Sequence, residues 1–118
     1  MVSRNSYQPD RGDLVWLDFT PNAGTEQGGR RPALVLSGKD FNIATGLALV
    51  CPITTKEKLN SFDVKLPRGA KLSGVVIASQ VRTLDWIARN VEFNSKADHQ
   101  TMCEVLGRIE AILEIDLS

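Results

Sequence analysis

Leu14-Val15-Trp16-Leu17-Asp18-Phe19, then Gly24-Thr25-Glu26-Gln27-Gly28-Gly29-Arg30-Arg31-Pro32, then Ala33-Leu34-Val35-Leu36-Ser37: an apolar run, a polar break and a second apolar run. Val15, Leu17 and Phe19 can share one face of a strand while Leu14 and Trp16 take the other. Pro32 has no N–H for a ladder, so it belongs at the start or edge of a strand, and the second strand is expected over Ala33–Ser37. The break between them carries three glycines, a carboxylate, a carboxamide and two guanidiniums. Loops held by rigid strands are common seats of binding and catalysis. Glycine and charge are also ordinary in solvated hairpin loops. Composition alone leaves both readings open.

The same logic extends along the chain. Residues 1–11 form a polar arm. Residues 41–46 read as a turn with room for a short helical piece. Leu47–Ile53 is a nearly continuous apolar run of strand length and is expected to cross the core. Phe62-Asp63-Val64-Lys65-Leu66 alternates and reads as a half-buried strand. Gly74–Val81 reads as a further buried strand, and Arg89–Phe93 as a short one. Ser95-Lys96-Ala97-Asp98 resembles a helix cap with an acid near the positive end of the dipole. Met102, Val105, Leu106, Ile109, Ile112, Leu113 and Leu117 then recur at helical steps. That stripe is wide for one helix. Packing on its own sheet and contact with a partner subunit both remain open.

About five to six short strands followed by one helix predict a mainly β domain, a small and strongly bent antiparallel sheet or barrel. At 118 residues the chain is long enough for one compact domain, read here over residues 1–118. Charged residues balance at 14 of each sign, which disfavours a strongly basic nucleic-acid binder but leaves room for a local basic groove. No run approaches the ~18 apolar residues of a membrane span, and the N-terminus has no apolar signal core. A cytoplasmic protein with reduced thiols is the expectation, with Cys51 and Cys103 both read as buried small hydrophobes.

The single histidine, His99, falls in the first turn of the predicted last helix and reads as a surface residue. On that reading, histidine-based triads and cysteine–histidine dyads drop out. No metal-ligand or cofactor motif is present, so neither a metal nor a cofactor is expected. What remains is a set of polar residues at strand ends: Glu26, Gln27, Arg30 and Arg31, then Thr54 and Thr55, then Ser79, Gln80 and Arg82. Guanidiniums with hydroxyls and carboxamides suit a phosphodiester, because arginine donors match phosphate oxygens in pairs. Glu26 would repel such a ligand, and makes more sense as a proton acceptor or as the partner that fixes an arginine. Turn capping is the competing reading of each residue taken alone.

With these residues assembled, the chain resembles the MazF/PemK family of toxin endoribonucleases. The resemblance is carried by Arg11–Phe19, Gly24–Leu36, Cys51-Pro52-Ile53-Thr54-Thr55 and Ser79-Gln80-Val81-Arg82-Thr83-Leu84-Asp85-Trp86, in that order. Thr25 stands where many members have serine. The resemblance implies an SH3-like barrel of the MazF/CcdB type with a C-terminal helix, acting as a homodimer. It implies metal-independent cleavage of single-stranded RNA, mainly mRNA, and neutralisation by a MazE-like antitoxin with an acidic tail. On motif position, Arg31 and Thr54 correspond to the family's catalytic pair, and Glu26 to a carboxylate implicated in some members. Gln27, Ser79 and Gln80 fall in segments associated with substrate, to which Thr55, Arg82 and Arg30 are joined by position; Arg30 meets either phosphate or solvent. Two rivals stand beside this: a CcdB-like toxin that binds DNA gyrase, and a non-catalytic RNA-binding module on an SH3-like scaffold. Incubation with a bare transcript separates both from a nuclease.

Overall fold

The computed structural model describes residues 6–19, 29–56 and 60–115. The element order is β1 (Asp13–Asp18), β2 (Arg30–Val35), α1 (Lys39–Thr45), β3 (Leu47–Thr54), β4 (Asp63–Lys65) and β5 (Val75–Ile77). A single 3-10 turn (Ala78–Gln80), β6 (Arg82–Asp85), β7 (Glu92–Lys96) and α2 (His99–Leu113) follow. All strands pair antiparallel.

β3 is the hub. One edge pairs with β2, from Ala33 opposite Pro52 to Val35 opposite Val50. The other edge is shared, with β6 taking Leu47–Val50 and β5 taking Ile53 and Thr54. The path β4-β5-β3-β2-β1-β7 does not return on itself, so the expected barrel is a curled, open sheet. β2 begins at Arg30 rather than Ala33, which places Pro32 inside it, opposite Trp16. The ladder to β3 starts only at Ala33, so the missing N–H of Pro32 falls just outside it.

Both faces of the central strands are covered, which is why their sequences run apolar without a break. On one face Leu14, Leu34, Cys51, Ile53, Val64 and Val76 pack beneath α2, which inserts Val105 with Met102 and Ile109 beside it. On the other face Val15, Leu17, Phe19, Ala33, Val35, Val50, Leu84 and Trp86 form a second cluster. Fully burying one such aliphatic side chain contributes about 1.5–3 kcal/mol. Asn42 in α1 is fully buried and ties elements together. Its amide donates to the Pro9 carbonyl at 2.8 Å, and its own carbonyl accepts from the Trp86 indole at 3.0 Å.

Several expectations need correction. Gly74–Val81 is not one strand: only Val75–Ile77 pairs, then the chain tightens through Ala78–Gln80 before β6. The strand expected at 89–93 lies later, at Glu92–Lys96, because Asn90 takes a left-handed turn at φ 55°. Ser95 is therefore a strand residue opposite Leu14, and Asp98 is the helix cap, accepting from the Thr101 N–H at 3.3 Å. Of the apolar stripe, Leu106, Ile112 and Leu113 are exposed, and Leu117 lies outside the described residues. Cys51 is buried as expected, but Cys103 is exposed. No helix among the described residues is long and apolar enough to cross a membrane.

Candidate active site

Side chains two apart in a strand leave the sheet on the same face. Arg31 is two residues before Ala33, and Thr54 two residues after Pro52, the pair that starts the β2–β3 ladder. Arg31 also stands opposite Leu17 in β1. Arg31 and Thr54 thus lie at adjoining strand ends, on the sheet face that carries the second apolar cluster. Arg31 is exposed and Thr54 half-buried. The Thr54 Oγ1 accepts from the Lys56 N–H at 3.2 Å, which fixes the oxygen and leaves the hydroxyl proton available for donation.

The end of β3 is held by a close backbone approach. Gly74 has φ +139°, and a Cβ there would lie 2.7 Å from the Thr54 carbonyl oxygen and 2.9 Å from Ile53 Cγ2. Only glycine lets the segment leading into β5 run this close to Thr54.

Arg82 stands opposite Val50 and so shares the face of Arg31 and Thr54. Its guanidinium sits 5.2 Å from the centroid of the Phe19 ring. Phe19 follows the far end of β1, so this contact spans the second cluster and reports how tightly the sheet curls. Arg82 is exposed, and cation–π contacts at exposed sites are worth about 0.5–1 kcal/mol. Ser79 and Gln80 are exposed on the turn that packs beside β3, and Thr55 is exposed just after β3. Glu26 and Gln27 lie outside the described residues.

Arg30 diverges from its neighbour. Successive strand residues point to opposite faces, and Arg30 stands opposite Asp18 in β1, on the other side of the sheet from Arg31. Its Nη1 donates to Asp18 Oδ1 at 2.9 Å, and its Nη2 to Glu92 Oε1 at 3.1 Å and to the Asn90 carbonyl at 2.6 Å. Hydrogen bonds from Asn90 and Arg30 hold the Asp18 carboxyl below the usual aspartate range. Partial burial works against the Arg30 charge, but its bonds to Asp18 and Glu92 outweigh this and raise its pKa.

His99 and Cys103 do meet, with the thiol sulfur 3.3 Å from Nε2. The exclusion of cysteine–histidine dyads therefore needs correction as a matter of geometry. The pair lies one turn apart on the exposed side of α2, whereas Arg31 and Thr54 belong to the opposite face of the sheet. Among the described residues, no three histidine, cysteine or acidic side chains gather as metal ligands would. Sequence reasoning missed Phe19 and Gly74 as neighbours of the site, and Asp18, Arg89, Asn90 and Glu92 as partners beside it. Gly74 was visible only as a glycine before an apolar run; the others give no signal, since their partners are distant in sequence.

An open antiparallel sheet, a helix over one face and an arginine–threonine pair at strand ends on the other define a small sheet domain with a polar candidate site. Residues 10–113 match the family described as PemK-like, MazF-like toxin of type II toxin-antitoxin system. The chain is 49% identical over 89 residues to the endoribonuclease toxin MazF of Escherichia coli strain K12, covering 75% of this chain and 78% of that protein. It is 38% identical over 119 residues to the endoribonuclease toxin ChpB of the same strain, covering 97% and 100%. A crystal structure of MazE-MazF (Form-III) from Deinococcus radiodurans matches with a TM-score of 0.86 at 46% identity, covering 93% of this chain and 100% of that one. The chain belongs to the PemK/MazF family of type II toxin–antitoxin toxins.

Proposed function

We propose that this chain is a sequence-specific endoribonuclease toxin that cleaves single-stranded RNA, mainly mRNA, in the cytoplasm. The observation that carries the reading is the placement of Arg31 and Thr54 at adjoining strand ends on one face. The family relationship adds weight, since the relatives are named endoribonucleases.

In the proposed reaction, the ribose 2′-oxygen attacks its own phosphate in line. The bond to the 5′-oxygen breaks, leaving a 2′,3′-cyclic phosphate and a free 5′-hydroxyl, without a metal. Arg31 stabilises charge on the phosphoryl oxygens and passes a proton to the leaving oxygen. Thr54 donates its hydroxyl proton to a phosphoryl oxygen, a role its bond from Lys56 permits. Glu26 takes the 2′-hydroxyl proton. Gln27, Thr55, Ser79, Gln80 and Arg82 contact the flanking RNA, with Arg82 presented on the Phe19 ring. The toxin acts as a homodimer, and a MazE-like antitoxin silences it by laying an acidic segment over the same RNA-contacting residues.

Primer extension on a long transcript incubated with purified protein tests this reading. Discrete stops at a recurring short sequence are expected, absent with Arg31→Ala. An uncut transcript, or equal cleavage by the variant, would reject it.

A further inference from the structure

The residues around Arg30 form a closed set that the proposed chemistry does not use. β1 ends at Asp18 and β2 begins at Arg30, and the chain joins them through residues 19–29. The turn between β6 and β7 reaches across both ends. The Arg89 carbonyl accepts from the Asp18 N–H at 2.9 Å. The Arg89 Nη1 donates to the carbonyls of Asp18 and Phe19 at 3.0 and 2.7 Å. Asn90 donates through Nδ2 to Asp18 Oδ2 at 2.8 Å, and its carbonyl accepts from Arg30. Glu92 closes the set on Arg30 at 3.1 Å. Asn90 holds a left-handed backbone to make these contacts, a conformation that asparagine tolerates better than most residues.

We propose that Asp18, Arg30, Arg89, Asn90 and Glu92 form a clamp that sets the backbone from which Arg31 projects, so that Arg30 is a positioning residue and not a ligand of the RNA. This rests on the endoribonuclease reading of Arg31 and Thr54. Charge supports it: a phosphate reaching Arg30 would have to displace two carboxylates, Asp18 and Glu92, and would meet their repulsion. Geometry supports it as well, because Arg30 and Arg31 leave opposite faces of β2. The bidentate reach of a guanidinium over Asp18, Glu92 and a carbonyl is one that lysine cannot copy. The ion pairs are partly exposed, with side-chain exposures of 34%, 33% and 67% for Arg30, Asp18 and Glu92. Their role is therefore in placing a neighbour rather than in holding the fold.

The test compares wild type, Arg30→Gln, Asp18→Asn and the double variant on one RNA oligonucleotide carrying the cleaved sequence. A clamp predicts that each single variant lowers kcat by about ten- to a hundredfold, the scale expected for a small misplacement of a catalytic group. KM stays close to wild type, and the double variant is no worse than the singles, as for residues acting as one unit. The slope of log affinity against log salt stays at the wild-type value. A phosphate contact at Arg30 predicts the reverse: a raised KM, an unchanged kcat and a slope smaller by about 0.7. That result, or a fully active Asp18→Asn, overturns the proposal. Hydrogen exchange at the Asp18 and Phe19 amides, bonded to Arg89 and Gly29, reads the clamp independently. Faster exchange in both variants is expected, and unchanged exchange overturns it. Should wild type cleave no RNA, the nuclease reading fails by itself, and the exchange result still decides whether the clamp exists.

Discussion

Replacing Gly74 with alanine probes how Thr54 is held. The added methyl would sit 2.7 Å from the Thr54 carbonyl oxygen, 2.9 Å from Ile53 Cγ2 and 3.4 Å from the Thr54 carbonyl carbon. The oxygen is backbone within β3, paired to β5 at Val75, so it cannot swing aside as a flexible side chain would. Relief to ordinary contact requires a shift of about half an ångström in the end of β3 or the start of β5, given carbon–oxygen contacts of about 3.3 Å. The backbone adds its own strain, since φ +139° disfavours any L side chain; such strain costs about 1–3 kcal/mol. Gly69 separates the two effects. It has φ +91° and nothing within 4 Å of its virtual Cβ, so Gly69→Ala carries strain without the clash. Thermal unfolding should show Gly69→Ala destabilised by about 1–3 kcal/mol and Gly74→Ala by more, since it adds the clash. RNA cleavage, measured where both remain folded, should fall about tenfold or more in Gly74→Ala alone. Equal activities in the two variants, or an unaffected Gly74→Ala, would refute the argument that this contact places Thr54.

Three further outcomes follow from the same geometry. Arg31→Ala should lower cleavage by about 10²–10³-fold, the scale for losing an electrostatic stabiliser of the kind proposed for it, while its unfolding temperature stays near wild type because the side chain is exposed. Asp18 has a depressed folded pKa, so its stabilising contribution is complete above its ordinary value of 3.8 and is lost as pH falls through the lower folded value. The stability difference between wild type and Asp18→Asn, about 1 kcal/mol at most for so exposed a group, should thus be constant near neutrality and vanish in strong acid. Burial pushes the Cys51 thiol up to about 12, whereas Cys103 is exposed. A thiol reagent at neutral pH should therefore label one cysteine quickly and the second only on unfolding, as peptide mapping would show.

Much of the core was legible because β1, β2 and β3 are covered on both faces. A strand in that position must be apolar throughout, and Leu14–Leu17, Ala33–Leu36 and Leu47–Ile53 are nearly so. Legibility failed where pairing, not side-chain character, defines the element. Ala78 is buried and extends the apolar look of Val75–Ile77, yet the chain there has already tightened into a turn. β7, with Glu92, Asn94, Ser95 and Lys96, has almost no strand signature and exists because β1 offers it an edge. Openness of the sheet is likewise invisible in sequence, since it depends on β4 and β7 failing to meet. At the site, Arg31 and Thr54 stood out through the motifs that contain them. The partners of Arg30 did not: Asn90 and Glu92 lie 60 and 62 residues away. Nor did sequence reveal that adjacent arginines would face opposite ways, which required the strand to begin at Arg30.

In the proposed reaction the attacking group is the substrate's own 2′-oxygen, with Arg31 and Thr54 holding the phosphate it attacks. An RNA oligonucleotide carrying the preferred site, with 2′-deoxyribose only at the nucleotide 5′ to the cleaved bond, tests it most directly. Binding should stay close to that of the all-ribose strand, with no cleavage at that bond and a 2′,3′-cyclic phosphate on the product of the unmodified strand. Cleavage of the deoxy-substituted bond at the rate of the unmodified one would contradict it.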